Sequence, residues 1–451
     1  MSKTCVRIHF PSDRSVHIGD LRLALMTSLW TWSKGGRLVA TPDNSAALED
    51  LAWLEVEPDE LVSLKDQKPA AEVVAELLQE DKAYACFCTP AELREMPAAP
   101  RGYREGIHYD GRCRALSADD QKALAKAGRK PSVRLRVSDE DGKALAKRLQ
   151  AYLPKQAHDF VIQEADGAIT TEFLAALNDN AVGATHILLH EADLAHLHQR
   201  ILIAAALGLK SPQFTTIADV NQSGSESGRW QTISHLRDSG FHPKAVRTAL
   251  LAAGWSDASQ ETVKEQAKNF KITKLSKSAS TINLDAMRDE NSAVLQEMGD
   301  NDQVDAIFEH LARRGFAFES RDKRWRKKFV DLVVEDLNTL ADAESMAGYV
   351  LTSGVSYDKR SAEQLRDPAT QQLIDDFENC IKKGKTKSLK DWKGTFAKFR
   401  AQVDVPGRAL SLIRLVLTGE RSGPNLGVLT TLLGEDGTRL RLEKARKYRG
   451  G

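Results

Sequence analysis

The sequence lacks any apolar run long enough to cross a membrane. A transmembrane helix needs about 20 consecutive apolar residues, and the longest apolar run, around residues 201–208, is far shorter. Residues 1–8 also lack the apolar core of a secretory signal peptide. These absences exclude membrane-spanning classes of protein and predict a cytoplasmic location.

Cysteine is scarce, and neither sign of charge is in excess. Five cysteines in 451 residues are too few for a disulfide scaffold. The 64 Lys and Arg residues nearly balance the 63 Asp and Glu residues, so no overall positive field indicates a nucleic-acid partner. A hydrophobic content of 41% supports real cores, and at about 100–200 residues per domain the length predicts two to four domains.

Short apolar segments alternate with helical patterns in the first part of the chain. Residues 5–10 and 37–40 are typical of strands, and residues 19–33 between them carry apolar side chains at helical spacing. Such alternation predicts an α/β fold with a parallel sheet. Further strands are expected at 133–137, 159–162 and 185–189, and helices at 73–78 and 193–207.

The rest of the chain is predicted to be mostly helical. A Ser- and Gly-rich loop is expected at 221–228. Helices are then predicted at 243–253, 304–314, 325–340 and 410–417.

His17, Ile18, Gly19 and Asp20 stand where the first strand gives way to the first helix. The amino end of a helix favours an anion, and glycine lets a phosphate approach the backbone closely. An imidazole at this position can stabilise charge on a transferring phosphate. Most such four-residue strings are ordinary turns, and the position of this one after a strand is what favours a functional role.

Three of the five cysteines have the spacing of a metal site. Cys86 and Cys88 are one residue apart, and Cys113 follows later within a segment rich in Pro and Gly. Thiolates bind Zn²⁺ well, and a tetrahedral site needs a fourth donor, which Tyr109 or His108 can supply. The alternative is three free cysteines in a loop-rich segment. A structural Zn²⁺ would stabilise a segment that has little core of its own.

Several short segments match one family in order along nearly the whole chain. They are Val6-Arg7-Ile8-His9-Phe10-Pro11-Ser12 with His17-Ile18-Gly19, Ala83-Tyr84-Ala85-Cys86-Phe87-Cys88-Thr89, Tyr109-Asp110-Gly111-Arg112-Cys113, Asp159-Phe160-Val161-Ile162, Ala184-Thr185-His186-Ile187, Gly240-Phe241-His242-Pro243-Lys244-Ala245, Gly407-Arg408-Ala409-Leu410 and Leu417-Thr418-Gly419-Glu420. The chain thereby resembles class I glutamyl-tRNA synthetases (glutamate–tRNA ligases), as a divergent bacterial-type member.

This resemblance implies a domain organisation. A Rossmann-like nucleotide-binding domain would comprise residues 1–85 and 156–235, interrupted by an acceptor-binding zinc insert at 86–155. A helical stem-contact domain at 236–315 and a helical anticodon-binding domain at 316–451 would follow.

The resemblance also implies an activity and its ligands. The protein would use ATP with Mg²⁺ to activate glutamate and would transfer it to the 3′ end of tRNA, as a monomer. His17 and Gly19 would be catalytic and ATP-binding. Related zinc-bearing synthetases support the phenolate of Tyr109 as the fourth ligand beside Cys86, Cys88 and Cys113.

The expected glutamate pocket departs from the family pattern. Arg7 and Glu191 are retained, whereas His9 stands where the family has its second arginine. Thr171-Glu172 replaces a Tyr-Asn pair, and Leu189 replaces a further arginine. Arg7, His9, Glu172 and Glu191 are the predicted substrate-binding residues. The loss of guanidinium partners and the acidic Glu172 predict an eroded site, because an unpaired buried charge costs about 3–5 kcal/mol.

The expected triphosphate loop is altered as well. The family's Lys-Leu-Ser-Lys-Arg is replaced by residues 223–228, with Glu226 at the place of the mobile lysine, and Arg229 is the predicted substitute. The similar string at 274–278 comes after Gly240 and is predicted to be a different segment. Two functions therefore stay open: a glutamate–tRNA ligase with an unusual site, and a catalytically silent paralogue that binds tRNA or a protein partner.

Two basic clusters lie in the region that the resemblance assigns to anticodon binding. Lys and Arg side chains neutralise phosphates, and an exposed tryptophan such as Trp325 or Trp392 can stack on a base. The alternative is a solvated helix face with Trp325 in the core. The predicted tRNA-binding residues are Arg321, Lys323, Arg324, Arg326, Lys327 and Lys328, and the second cluster comprises Lys382, Lys383, Lys385, Lys387, Lys390 and Lys393.

Overall fold

A computed structural model describes most of the chain as two compact units. It describes residues 4–8, 10, 16–41, 45–96, 109–138, 140, 158–223, 232–352 and 354–449. One unit comprises Met1–Ile233 and Arg247–Asn283, and the other comprises Ser234–Val246 and Leu284–Gly451.

The first unit contains a five-stranded parallel sheet with the strand order β3-β2-β1-β7-β8. The predicted α/β class and parallel sheet are therefore confirmed. The described strands are β1 (Cys5–Ile8), β2 (Arg37–Ala40), β3 (Glu60–Leu61), β4 (Ala83–Cys86), β5 (Ser132–Leu135), β6 (Phe160–Gln163), β7 (His186–His190), β8 (Gln213–Ile217), β9 (Val220–Ser223) and β10 (Ser280–Asn283).

Helices account for much of the remaining chain. Short 3₁₀ turns lie at Glu191–Asp193, Ile272–Lys274 and Val334–Asp336. The described helices are α1 (Ile18–Ser33), α2 (Ser45–Trp53), α3 (Ala70–Gln79), α4 (Pro90–Arg94), α5 (Ala118–Lys126), α6 (Thr171–Ala181), α7 (Leu194–Ala206), α8 (Ile233–Asp238), α9 (Pro243–Ala252), α10 (Val263–Ala267), α11 (Leu284–Glu297), α12 (Asp300–Arg313), α13 (Lys323–Val333), α14 (Asp342–Val350), α15 (Lys359–Arg366), α16 (Pro368–Lys383), α17 (Leu389–Arg400), α18 (Pro406–Thr418) and α19 (Leu426–Arg446).

Helix α1 packs against strands β1, β2 and β7 of the parallel sheet. It connects the neighbouring parallel strands β1 and β2, and its Leu21, Leu25 and Leu29 are fully buried. It ends at Ser33, and Gly35 follows with φ +59°, a conformation that glycine adopts without strain. The first strand, the helix and the second strand therefore lie close to where the apolar periodicity predicts them.

Two smaller sheets complete the first unit. Strands β4, β5 and β6 form an antiparallel sheet, and β9 pairs in parallel with β10. The predicted loop at 221–228 is wrong in its first part, because Asn221 and Gln222 lie in β9 opposite Thr281 and Ile282. Pairing with a strand distant in sequence overrides the loop-forming tendency of a polar segment.

The second unit is helical around one large apolar core. The helix expected at 325–340 is confirmed only as far as Val333, where α13 ends and a 3₁₀ turn follows. Leu337 and Leu340 keep the apolar spacing that a helix would have. They lie after that turn, however, and join the core from outside the helix. Within the described residues, no helix combines the length and apolar character that crossing a membrane requires.

Candidate functional site

A cavity of about 250 Å³ opens at the carboxyl ends of strands β1 and β7. This edge of a parallel sheet is where α/β proteins bind ligands. Helices α1, α6 and α7 close its sides. The charged and titratable lining residues are Arg7, Asp20, Glu172, His190, Asp193 and Arg200.

A buried ion triad supports the cavity. Arg7 Nε donates a hydrogen bond to Asp179 Oδ1 at 2.8 Å, and Arg200 forms an ion pair with Asp179 Oδ2. The side chains of Arg7, Asp179 and Arg200 are 0%, 2% and 7% exposed. Because buried charges are tolerated only when paired, Asp179 is what allows two guanidinium groups to lie here.

Glu172 faces this triad from the first turn of α6. Burial raises the pKa of Glu172 above its usual value, and the positive charge of Arg200, followed by that of His196, opposes the rise. Asp193 and Asp179 repel the ionised carboxylate and reinforce the rise. The pocket therefore combines two arginines with a carboxyl group whose protonation changes the net charge of the pocket by one unit.

His190 and Leu189 complete the β7 side of the cavity. His190 Nδ1 lies 3.6 Å from Asp219 Oδ1, and the imidazole is charged in this pair only when protonated. Leu189 presents hydrocarbon to the same space.

His17 occupies the N-cap position of α1 with extended backbone angles. Its amide donates to Asp20 Oδ2 at 3.4 Å, and it forms an isolated bridge with Thr232. A Cβ added at Gly19 would lie 3.9 Å from Val220 Cγ2, which is ordinary contact. His17 and Gly19 thus lie at the amino end of α1, outside the cavity lining, and only Asp20 of this motif reaches it.

The three clustered cysteines meet in space, as their spacing predicts. The sulfur atoms of Cys86, Cys88 and Cys113 all lie within 4.8 Å of one another. Tyr109 Oη lies 3.6 Å from Cys86 Sγ and accepts a hydrogen bond from the Cys113 amide at 3.0 Å. Sulfur atoms this close, with one phenol beside them, fit the tetrahedral donor set of a structural Zn²⁺. His108, the alternative fourth donor, lies outside the described residues.

Arg134 supplies positive charge to the cysteine cluster. Its Nε donates to Cys86 Sγ at 3.2 Å, and its guanidinium carbon lies 3.9 Å from the centre of the Tyr109 ring. The hydrogen bond from Cys113, together with the one from Arg134, lowers the pKa of the Cys86 thiol to about 4. The cluster therefore holds a thiolate suited to bind a metal.

Comparison with protein families decides the classification. The family described as tRNA synthetases class I (E and Q), catalytic domain, matches residues 6–289, and the anticodon binding domain matches residues 302–446. The first match alone covers more than half of the chain. The chain belongs to the class I tRNA synthetases of the glutamate and glutamine type. The resemblance seen in the sequence is confirmed.

Individual relatives of this synthetase match along their whole length. Glutamate–tRNA ligase 1 of Caldanaerobacter subterraneus subsp. tengcongensis is 28% identical, and the match covers 99% of this chain and 98% of the relative. The glutamate–tRNA ligase of Bacillus subtilis is 25% identical, with 96% and 97% covered. Among solved structures, the glutamate tRNA ligase of Elizabethkingia meningosepticum in complex with its amino acid shares the fold, with a TM-score of 0.62, 18% identity and 99% of both chains covered.

The synthetase fold brings together only part of the predicted substrate-binding set. Arg7 and Glu172 line the cavity, whereas Glu191 is exposed and does not line it. His9, Glu226 and Arg229 lie outside the described residues. Lys274, in the string predicted to differ from the signature loop, forms an ion pair with Asp257 at 2.6 Å.

Two residues of this synthetase site escaped the sequence analysis. Asp179 and Arg200 lie on helices α6 and α7, and no motif marks them. Their role follows from an ion pair that forms only when the two helices pack together, so no local pattern in the sequence indicates it.

The first basic cluster is largely bound within the helical unit. Arg321 donates to Val350 O at 3.0 Å, Arg326 to Arg321 O at 3.1 Å, and Lys328 to Thr431 O at 2.9 Å. Lys327 pairs with Asp300 and Asp331 at 3.0 and 2.5 Å. The remaining members of the predicted set, Lys323 and Arg324, are exposed.

The expectation of an exposed tryptophan for base stacking is wrong for Trp392. Its side chain is fully buried in the core of the helical unit. Trp325 is half-buried, stacks on Phe329, and donates from Nε1 to Leu432 O at 3.0 Å. An apolar ring of this size gains more from burial than from exposure beside lysines.

Proposed function

We propose that this synthetase is a glutamate–tRNA ligase, which activates glutamate with ATP and transfers the glutamyl group to the 3′ end of tRNA. The observation that carries the proposal is the end-to-end match to glutamate–tRNA ligases, 99% of this chain on 98% of one relative. A cavity with two buried arginines at the carboxyl edge of the sheet supports it, since an amino-acid substrate carries carboxylates.

The activation step needs groups that bind the negatively charged phosphates of ATP. Class I synthetases use ATP with Mg²⁺. We assign phosphate binding to His17 and Gly19, because they lie at the amino end of α1, which carries the positive end of the helix dipole. Arg229 is the proposed replacement for the lysine that Glu226 displaces, because a cation is required beside a polyanion.

A structural Zn²⁺ would be held by Cys86, Cys88, Cys113 and Tyr109. The fit rests on the sulfur positions and on Arg134, which offsets part of the negative charge of four anionic donors. Bound there, the ion would cross-link the end of β4 to residues 109–113 and thereby rigidify a segment with few buried side chains.

The tRNA is proposed to bind along both units. The boundaries inferred from the resemblance assign acceptor binding to residues 86–155, stem contact to 236–315 and anticodon binding to 316–451, in a monomer. Lys323 and Arg324 are the cluster members best placed for phosphate contact, because they are exposed and, within the described part of the chain, form none of the internal bonds that hold their neighbours.

The test is aminoacylation of glutamate-type tRNA by the full chain with ATP, Mg²⁺ and labelled glutamate or glutamine. We expect glutamyl-tRNA, and we expect His17→Ala to lower kcat/KM by about 10²–10³-fold, as losing one charge-stabilising donor does. His235→Ala, an exposed histidine in α8, is the control and should leave the rate unchanged. Binding of tRNA without any glutamylation at high protein concentration would overturn the proposal in favour of a silent paralogue.

A further inference from the structure

The buried ion triad leaves one unit of positive charge at the cavity. Arg7 and Arg200 contribute two positive charges, and Asp179 contributes one negative charge. Arg200 uses a terminal nitrogen for Asp179, while its Nε is buried and has no hydrogen-bond partner among the described residues. The Arg200 side chain is only 7% exposed. A buried hydrogen-bond donor without a partner is costly unless a ligand supplies the acceptor.

Glu172 decides whether this positive charge is available. When its carboxyl group is ionised, Glu172 cancels the remaining charge of the triad, and the pocket suits a neutral group. When the carboxyl group is protonated, the net positive charge of the triad is not cancelled by Glu172, and it is available to a carboxylate. Burial favours the protonated form, and Arg200 favours the ionised form.

We propose that Arg200 binds the carboxylate of the glutamate substrate and that Glu172 takes up one proton when it binds, so that Glu172 sets the preference between a carboxylate and a neutral amide. This inference rests on the proposed function and deepens it. Glu172 is a specificity-determining residue in this scheme, and the proton comes from solvent. By linkage, affinity for glutamate falls as the pH rises, by at most tenfold per pH unit for one proton.

Other groups around Glu172 also titrate or carry charge. Arg7 faces it from β1, Asp20 from α1, His190 and Asp193 from the end of β7, and His196 and Arg200 from α7, while Asp179 lies on its own helix. All of these groups are present both in the wild type and in a variant changed only at Glu172. The difference between the wild type and a Glu172 variant therefore isolates the Glu172 proton.

The experiment is calorimetric titration of the full chain with L-glutamate in phosphate and in Tris, from pH 6 to 8.5. The two buffers differ in ionisation enthalpy, so the heats report the number of protons taken up. We expect the wild type to take up more protons than Glu172→Gln, with the difference approaching one at high pH. We also expect Glu172→Gln to bind glutamate at least tenfold more tightly at pH 8.5. With L-glutamine as the probe, the two proteins should take up equal numbers of protons.

Two further variants complete the design. Glu60→Gln removes an exposed carboxylate that pairs with Arg37 outside the cavity, and it should behave as the wild type. Arg200→Gln should weaken glutamate binding at least tenfold; if it fails to fold, the Glu172→Gln comparison still decides. Equal proton uptake and equal pH dependence in wild type and Glu172→Gln, or no glutamate binding by either, would overturn the inference. Aminoacylation, measured separately, decides the proposed function.

Discussion

Arg134 acts at the scale of a single residue by stabilising a dense group of negative charges. Three thiolates and one phenolate around Zn²⁺ would leave two net negative charges in a largely buried space, and the buried guanidinium halves that excess. The bond from Arg134 Nε to Cys86 Sγ also fixes the direction of the sulfur. Groups that contact metal ligands in this way commonly determine affinity as much as geometry does.

We therefore expect one Zn²⁺ per chain and expect Arg134→Met to weaken its binding about 10–100-fold. Cys86→Ser should lose the metal and lower the midpoint of thermal unfolding of the first unit. Elemental analysis and competition with a chelator measure both effects. Cys380→Ser, which alters a buried thiol of the helical unit bonded to Gln402, should keep full zinc content. A zinc-free wild type, or a Cys86→Ser protein with unchanged zinc, contradicts the assignment.

Residues with a motif could be predicted from the sequence, and residues without one could not. The cysteine spacing predicted the cluster of three thiols because Cys86 and Cys88 are one residue apart and Cys113 follows within the same segment. Asp179 and Arg200 form their ion pair across two helices, and no local spacing encodes that contact. Trp392 shows the converse error, since lysines nearby in sequence suggested exposure while the ring is fully buried.

Helix α19 shows how one backbone break organises a whole element. Gly434 interrupts it with φ 72° and ψ 178°, angles outside the helical region that divide the element into two helical segments. Lys328 donates to Thr431 O at 2.9 Å, and Trp325 donates to Leu432 O at 3.0 Å. These two hydrogen bonds attach α13 to α19 just before the break, and they explain why part of the basic cluster points inward.

The kink predicts opposite effects for two glycines of this helix. Gly434→Ala should lower the free energy of unfolding by about 1–3 kcal/mol, because its backbone angles are strained for any residue with a Cβ. Gly437→Ala is the matched control: the new Cβ would meet Leu433 at 3.4 Å, an ordinary contact, so it should stabilise the helix by roughly 0.5–1 kcal/mol. Denaturant titrations of both variants measure the difference. Equal changes in the free energy of unfolding of the two variants would mean that the backbone angles at Gly434 do not require glycine.

Element prediction was most successful where local patterns decide the structure. Apolar periodicity predicts strands β1 and β2 and helix α1, and the glycine after the helix marks its end. Strand β3 has only two residues, too few for any pattern, and β9 forms because β10 lies beside it. The helix expected to extend to residue 340 ends at Val333, because its later apolar residues reach the core through a turn.

At the scale of the whole molecule, 64 basic and 63 acidic residues give a nearly neutral protein, so tRNA must be attracted by local clusters. The structure separates the basic residues that form internal bonds from those that face solvent. Lys328 holds the kinked helix, and burial lowers its pKa, whereas Lys323 and Arg324 are exposed at the start of α13. Of Lys323, Arg324 and Lys328, the two exposed residues are the ones that can release counterions by contacting phosphates.

The double variant Lys323→Gln/Arg324→Gln should therefore weaken tRNA binding and make the plot of log K against log salt concentration shallower by about 1–2, since each lost phosphate contact removes close to one unit of slope. Lys328→Gln should reduce the free energy of unfolding while leaving that slope unchanged, because its ammonium group bonds Thr431 O and not RNA. Filter binding of tRNA between 50 and about 200 mM salt measures the slope. The prediction is contradicted if the salt slope becomes shallower with Lys328→Gln but not with the double variant. Lys328 would then contact RNA, although its ammonium group is bonded to Thr431 O in the structure.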